Sequence, residues 1–151
     1  MATLSGEAPV RRVEYLNAAV ADLQRLKGDD EALYRRARGL LDLVETNEYD
    51  GVPLQEMSKY GDLSNCRKIY FGHGPARNSH RIVYQVVEPG DGGDAKVEVV
   101  EVVAVEARDE GYVYLKAAER LGLLPAETKP TLKRVQQRRI DDRAAKKKKP
   151  K

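Results

Sequence analysis

The stretch Cys66–Glu106, "CRKIYFGHGPARNSHRIVYQVVEPGDGGDAKVEVVEVVAVE", decides the fold. Three runs in it have strand character: "CRKIYF", "RIVYQVV" and "KVEVVEVVAVE" (Lys96–Glu106). The last is dominated by Val, whose branched side chain suits a pleated surface, and its near-continuous apolar character predicts a central strand. The runs are separated by "GHGPARNSH" and "EPGDGGD", both rich in turn residues. Short connections between sequential strands favour antiparallel pairing. Each of the first two strands opens on cations, Arg67 and Lys68 in one and Arg81 in the other. Cations are rarely buried unless paired, so their placement needs a reason.

Upstream, "RRVEYL" (Arg11–Leu16) reads as a short strand. Asn17 is placed to cap a helix over Ala18–Lys27, with Val20, Leu23 and Leu26 as an apolar stripe and Gly28 as its end. Asp29 or Asp30 caps a second helix through about Glu45, with Leu33, Ala37, Leu40, Leu41 and Val44 at helical spacing. Two helices joined this tightly form a hairpin. "NEYDGVPLQEMSKYGDLSN" reads as a loop. Downstream, Arg108–Gly122 reads as a helix whose apolar row is Val113, Ala117 and Leu121. The order is β-α-α-β-β-β-α. It predicts an α+β fold in which a small antiparallel sheet carries the helical hairpin on one face, with the last helix at the edge of a partly open second face.

Three segments follow: a flexible N-terminus over residues 1–10, a folded domain over 11–124, and a basic, partly disordered tail over 125–151. Residues up to Glu127 carry 16 bases and 22 acids, whereas Thr128–Lys151 carry 11 bases and 2 acids. A tail so basic favours polyanions. "TLKRVQQRRIDDRAA" has a sparse apolar face of Leu132, Val135 and Ile140, and "KKKKPK" is expected to be disordered. Charged residues make up 34% of the chain and mean hydropathy is −0.62. No apolar run approaches the roughly 20 residues that span a bilayer, and the N-terminus reads as a cytoplasmic start. Cys66 is the single cysteine, which removes an intramolecular disulfide and a Cys-rich metal site and leaves a small buried hydrophobe.

Phosphate-binding glycine loops, dinucleotide fingerprints, His-Glu-x-x-His and the nucleophile elbow are all missing from the sequence. The cations remain: Arg67, Lys68, Arg81 and Arg108 each stand at the beginning or end of a strand, and such ends can converge on one rim of an antiparallel sheet. Arg and Lys together supply charge and hydrogen bonds for a phosphodiester. Arg cannot act as a base, so an RNA-cleaving site needs a titratable partner, for which Tyr114 on the next helix is a candidate. Strand side chains alternate, so at most one of Arg67 and Lys68 faces such a site. Bland alternatives stand beside these roles. Arg81 can pair structurally with Glu98, Glu101 or Glu106, Tyr114 can pack, and His73 and His80 can be solvated loop histidines.

The segments "LSNCRKIYFG", "RIVYQVV" and "VEVVAVEARDEGYVYLKAAERL", in that order, resemble the RelE/ParE superfamily of bacterial toxin–antitoxin toxins, RelE-like branch. The resemblance covers roughly Arg12 to Leu121. It implies a toxin held by a cognate antitoxin that cleaves mRNA on the ribosome, in the cytoplasm, by attack of a 2′-hydroxyl on the adjacent phosphate, without cofactor or metal. By position it implies that Arg81 contacts the scissile phosphate. Arg108 would stabilise charge on the phosphorane or leaving group, and Tyr114 would be the base or a stacking residue. Arg67 and Lys68 would bind the RNA backbone or help neutralise charge, His80 beside Arg81 is expected to bind RNA too, and the basic tail, outside the resemblance, is expected from its charge to contact RNA. A ParE-like gyrase inhibitor and a catalytically inactive nucleic-acid-binding module of the same fold are the alternative readings.

Overall fold

A computed structural model describes residues 10–54, 60–74, 78–87 and 97–148. Five strands form one sheet: β1 (Val10–Tyr15), β2 (Val52–Pro53), β3 (Cys66–Phe71), β4 (His80–Val87) and β5 (Val97–Ala107), in the order β1-β5-β4-β3-β2. Helices α1 (Asn17–Asp29) and α2 (Glu31–Glu45) follow β1, and α3 (Tyr112–Arg120) and α4 (Lys129–Lys148) follow β5. The α+β class and the expected element order are present. The Val-rich run is central, flanked by β1 and β4.

Two details of the sheet differ from expectation. The β2–β3, β3–β4 and β4–β5 pairs are antiparallel, but β1 joins β5 in parallel, from Val10↔Val97 to Tyr15↔Val102, so the sheet is mixed. Connection length informs pairing between consecutive strands only, whereas this pair closes across most of the domain. The second difference is β2, a two-residue edge strand inside the stretch read as loop. Its Pro53 is tolerated because an edge position asks for no second ladder bond.

Helices cover both faces. On one, Ala19, Leu23 and Leu26 of α1 and Leu33, Ala37, Leu41 and Val44 of α2 pack on Ile69, Phe71, Ile82, Tyr84, Val100, Val102 and Val105. On the other, Val113, Ala117 and Ala118 of α3 pack on Cys66, Val83, Val103 and Ala104. The β4–β5 register slips between Val83 and Tyr84, so that consecutive Val103 and Ala104 both serve the α3 side. Thus α3 lies across β4 and β5 rather than at the sheet edge, and among the described residues this face is open over β3 only beyond the buried Cys66, at Lys68 and Tyr70.

Local capping shifts the expected boundaries. Asn17 is the first residue of α1 rather than its cap, and α1 runs through Gly28 to Asp29. Val20 is exposed, and the buried stripe is Ala19, Asp22, Leu23 and Leu26. Asp30 does cap α2, its carboxylate accepting the Leu33 N–H at 3.2 Å. A 3-10 turn at Asp109–Gly111 delays α3 to Tyr112. Beyond the bend at Gly122, α4 forms a continuous helix to Lys148 and docks Leu132 and Val135 against Tyr112 and Leu115. Ile140, expected on that apolar face, is exposed. Residues 1–9 and 149–151, where part of the expected flexible N-terminus and disordered tail fall, lie outside the described residues.

Candidate functional site

The open part of the second face is built by alternation. On β3, Ile69 and Phe71 face the helical hairpin, which turns Lys68 and Tyr70 to the α3 side. On β4, Ile82 and Tyr84 face the hairpin and Val83 faces α3, so Arg81 shares the side of Lys68 and Tyr70 and stands directly across from Tyr70 in the ladder.

Arg81 is only 9% exposed. Its Nη1 donates to the carbonyls of Asn78 at 2.6 Å and His80 at 3.0 Å, and its guanidinium lies 4.1 Å from the Tyr70 ring centre. Among the described residues its Nε is buried without a hydrogen-bond partner. Among the described residues no carboxylate pairs with it. The three glutamates open to a structural Arg81 are engaged elsewhere. Glu98 accepts from Arg11 Nε at 2.8 Å, Glu101 accepts from Gln85 at 2.8 Å, and Glu106 takes Arg25 at 3.3 Å. A buried charge without a counter-charge is costly, and among the described residues Arg81 is offset only by backbone carbonyls and the Tyr70 ring.

Around Arg81 the side chains form a row. The Lys68 ammonium lies 5.2 Å from the Tyr70 ring centre and 6.0 Å from that of Tyr114, and Tyr114 stacks obliquely on Tyr60 at 5.6 Å. Tyr70 is 41% exposed. The Lys68 ammonium beside its phenol oxygen, with Arg81 adding positive charge, holds the phenol below its ordinary range. Alternating cations and aromatic faces are what single-stranded nucleic acid binds, through phosphates and stacked bases respectively.

The expected site residues divide. Lys68, Arg81 and Tyr114 come together. Arg108 lies at the same end of the sheet, its N–H donating to the Ser79 carbonyl at 3.0 Å and its side chain exposed. Arg67 faces the other way, as alternation requires. It donates to the Gly51 carbonyl at 3.2 Å and stands 3.9 Å from Asp50, in a structural cluster with Arg11 and Tyr84. His80 also faces away from Arg81. Its ring meets Phe71 at 5.4 Å and its Nδ1 meets Ser79 Oγ at 2.8 Å. Burial, with Arg139 nearby, keeps the imidazole neutral below its usual range. Tyr70 and Tyr60 were not among the expected residues. Tyr70 was within reach, since a residue two along a strand from Lys68 must share its face.

A second polar group sits where β1 stops. Beyond Val102, β5 has no strand neighbour on that side among the described residues, and side chains satisfy its backbone instead. Asp22 accepts the Val105 N–H at 2.9 Å, and Arg120 donates to the Val103 carbonyl at 2.9 Å and to Asp22 at 2.6 Å. Burial opposes charge on Asp22, but Arg120 and the Val105 N–H hold its carboxyl below the usual range. Glu106, beside it, is pushed up to about 8 by burial and by Asp22, which favours its protonated form at neutral pH. A cleft of about 490 Å³ opens here between α1 and α4.

No protein-family model matches the chain, and no curated protein matches it. Among solved structures, a YoeB/ParE toxin from Agrobacterium tumefaciens is similar at 16% identity, over 64% of this chain and 97% of that one, with a TM-score of 0.44. Similarity of that degree assigns no residue and no activity. Among the described residues no helix is long and apolar enough to cross a membrane, and no His, Cys, Asp and Glu side chains cluster as metal ligands.

Proposed function

We propose that this protein is a toxin of a toxin–antitoxin system and acts as a ribosome-dependent endoribonuclease. In this reading a 2′-hydroxyl of the message attacks its own 3′-phosphate. Arg81 holds a phosphate oxygen, Lys68 and Arg108 neutralise charge that builds on the phosphorane, and Tyr114 with Tyr60 offers a ring surface to a base. Charge placed in advance where a transition state gains charge is a large catalytic contribution. The observation that carries the reading is Arg81, buried, uncompensated by any described carboxylate, and carrying an orphan Nε donor beside an exposed ring and a lysine. The partners are a cognate antitoxin, the ribosome and mRNA. Helix α4, with nine bases and two acids, adds a polyanion contact.

The test is inducible expression with growth and mRNA ends followed in the same cells. Wild type should arrest growth and produce new mRNA ends on translated messages, and Arg81→Ala should do neither. Arrest without new ends, with inhibited gyrase supercoiling in vitro, would replace this reading by a gyrase inhibitor. Neither arrest nor cleavage, with salt-sensitive RNA binding lost on removal of α4, would leave a non-catalytic binding module.

A further inference from the structure

We infer that Tyr70 is the catalytic proton acceptor of this site, taking the proton from the attacking 2′-hydroxyl; the inference rests on the endoribonuclease reading above. Guanidinium and ammonium groups donate hydrogen bonds and accept none, so Arg81, Arg108 and Lys68 can position and neutralise but cannot receive a proton as they stand. Three phenols of the row remain, and burial, with Tyr114 beside it, holds that of Tyr60 above its ordinary range. Tyr114 is half-buried, stacked on Tyr60 and 6.0 Å from the lysine across its ring. Tyr70 is open to solvent, its ring is gripped by Arg81 at 4.1 Å, and Lys68 follows the same face two residues away.

The register sets the distance to substrate. Tyr70 and Arg81 are directly opposed, and opposed residues of an antiparallel pair keep their Cβ atoms about 5 Å apart. In this proposal a phosphate on the Arg81 guanidinium would lie beside the Tyr70 ring, with the neighbouring ribose oxygen turned toward its hydroxyl. The charged groups that face Tyr70 among the described residues are Lys68 from its own strand and Arg81 from β4, both cationic. Both favour the phenolate over the phenol. The step balances without a co-reactant other than water. The phenolate oxygen takes the 2′-hydroxyl proton, the O2′–P bond forms and the P–O5′ bond breaks. The departing O5′ takes a proton from water, leaving a 2′,3′-cyclic phosphate and a 5′-hydroxyl.

The test is Tyr70→Phe in the full chain, which keeps the ring under Arg81 and removes only the hydroxyl. Ribosome-dependent cleavage is expected to fall by about 100-fold or more, the range of a lost general base, while binding of a non-cleavable 2′-deoxy oligonucleotide stays within about threefold. In an ultraviolet tyrosinate titration the earliest phenol to ionise, below the ordinary value of about 10, should vanish in Tyr70→Phe. Lys68→Met should move the acid limb of the pH–rate profile to higher pH. A Tyr70→Phe protein that cleaves at the wild-type rate beside an inactive Arg81→Ala protein would overturn the role of Tyr70 alone. A wild-type protein that cleaves nothing on ribosomes would overturn the endoribonuclease reading and this inference with it.

Discussion

Replacing Glu106 by glutamine should make the protein more stable at alkaline pH and flatten its stability profile. Glu106 is buried beside Asp22, whose side chain is fully enclosed and ionised. Its carboxyl, at 4.5 in the ordinary case, is pushed up to about 8 by burial first and Asp22 second. The folded state therefore holds a proton that the unfolded chain has already released. Between those two values the native state binds more protons, so stability is full below about 4.5, declines as pH rises, and levels off above about 8. At about 1.4 kcal/mol per pKa unit, the gap sets a ceiling of about 5 kcal/mol. Attraction to Arg25 is already within that shift, and relaxation on ionisation lowers the realised value further, so a gain of about 2–3 kcal/mol at pH 9 is expected. For a chain of this size that is about 5–10 °C in Tm. Urea unfolding of both proteins followed by circular dichroism between about pH 6.5 and 9 reads this group in the difference between them, where the Cys66 thiol, raised to about 11 by burial in both, cancels. His80 and Asp22 are both held below their ordinary ranges and titrate on the acid side of that window. Parallel profiles for the two proteins would refute the neutral-acid assignment.

Two further perturbations test the packing. Leu132→Ala removes the first of the two buried contacts that dock α4; it should cost about 2–5 kcal/mol of docking and raise amide exchange in α4 while β4 and β5 stay protected. Tyr84→Phe removes the hydroxyl that accepts the Gly51 N–H at 2.8 Å and donates to Asp50, so the Asp50 carboxylate loses a donor while the Gly51 N–H keeps its 3.0 Å bond to it. A loss of about 1–3 kcal/mol in urea unfolding is expected.

What the sequence made legible was what is local. Alternation and turn residues give β3, β4 and β5 in their order, and helical spacing gives both helices of the hairpin, because each signal lies within one element. The same alternation separates Arg67 from Lys68, and would have exposed Tyr70 had β3 been read by face instead of by charge. The partner of Arg81 was a different kind of question. Three glutamates were open to it by spacing, and only register and competition for each carboxylate decide among them.

Here the least readable feature of the fold shapes the site. Strand β1 pairs β5 in parallel and stops at Val102, so the remaining edge of β5 must be satisfied by side chains. Asp22 and Arg120 meet that need at Val105 and Val103, and the buried Asp22 carboxylate then keeps the neighbouring Glu106 protonated. Glu106 is the residue opposite Arg81 in the β4–β5 ladder. Neutralised, and within reach of Arg25 besides, it offers Arg81 no counter-charge. Among the described residues, the lack of a carboxylate for Arg81 thus follows from where a parallel strand ends. If Arg81 binds phosphate as proposed, restoring negative charge to Glu106 should weaken that binding, and the expected outcome is a phosphate affinity that falls as pH rises through about 8.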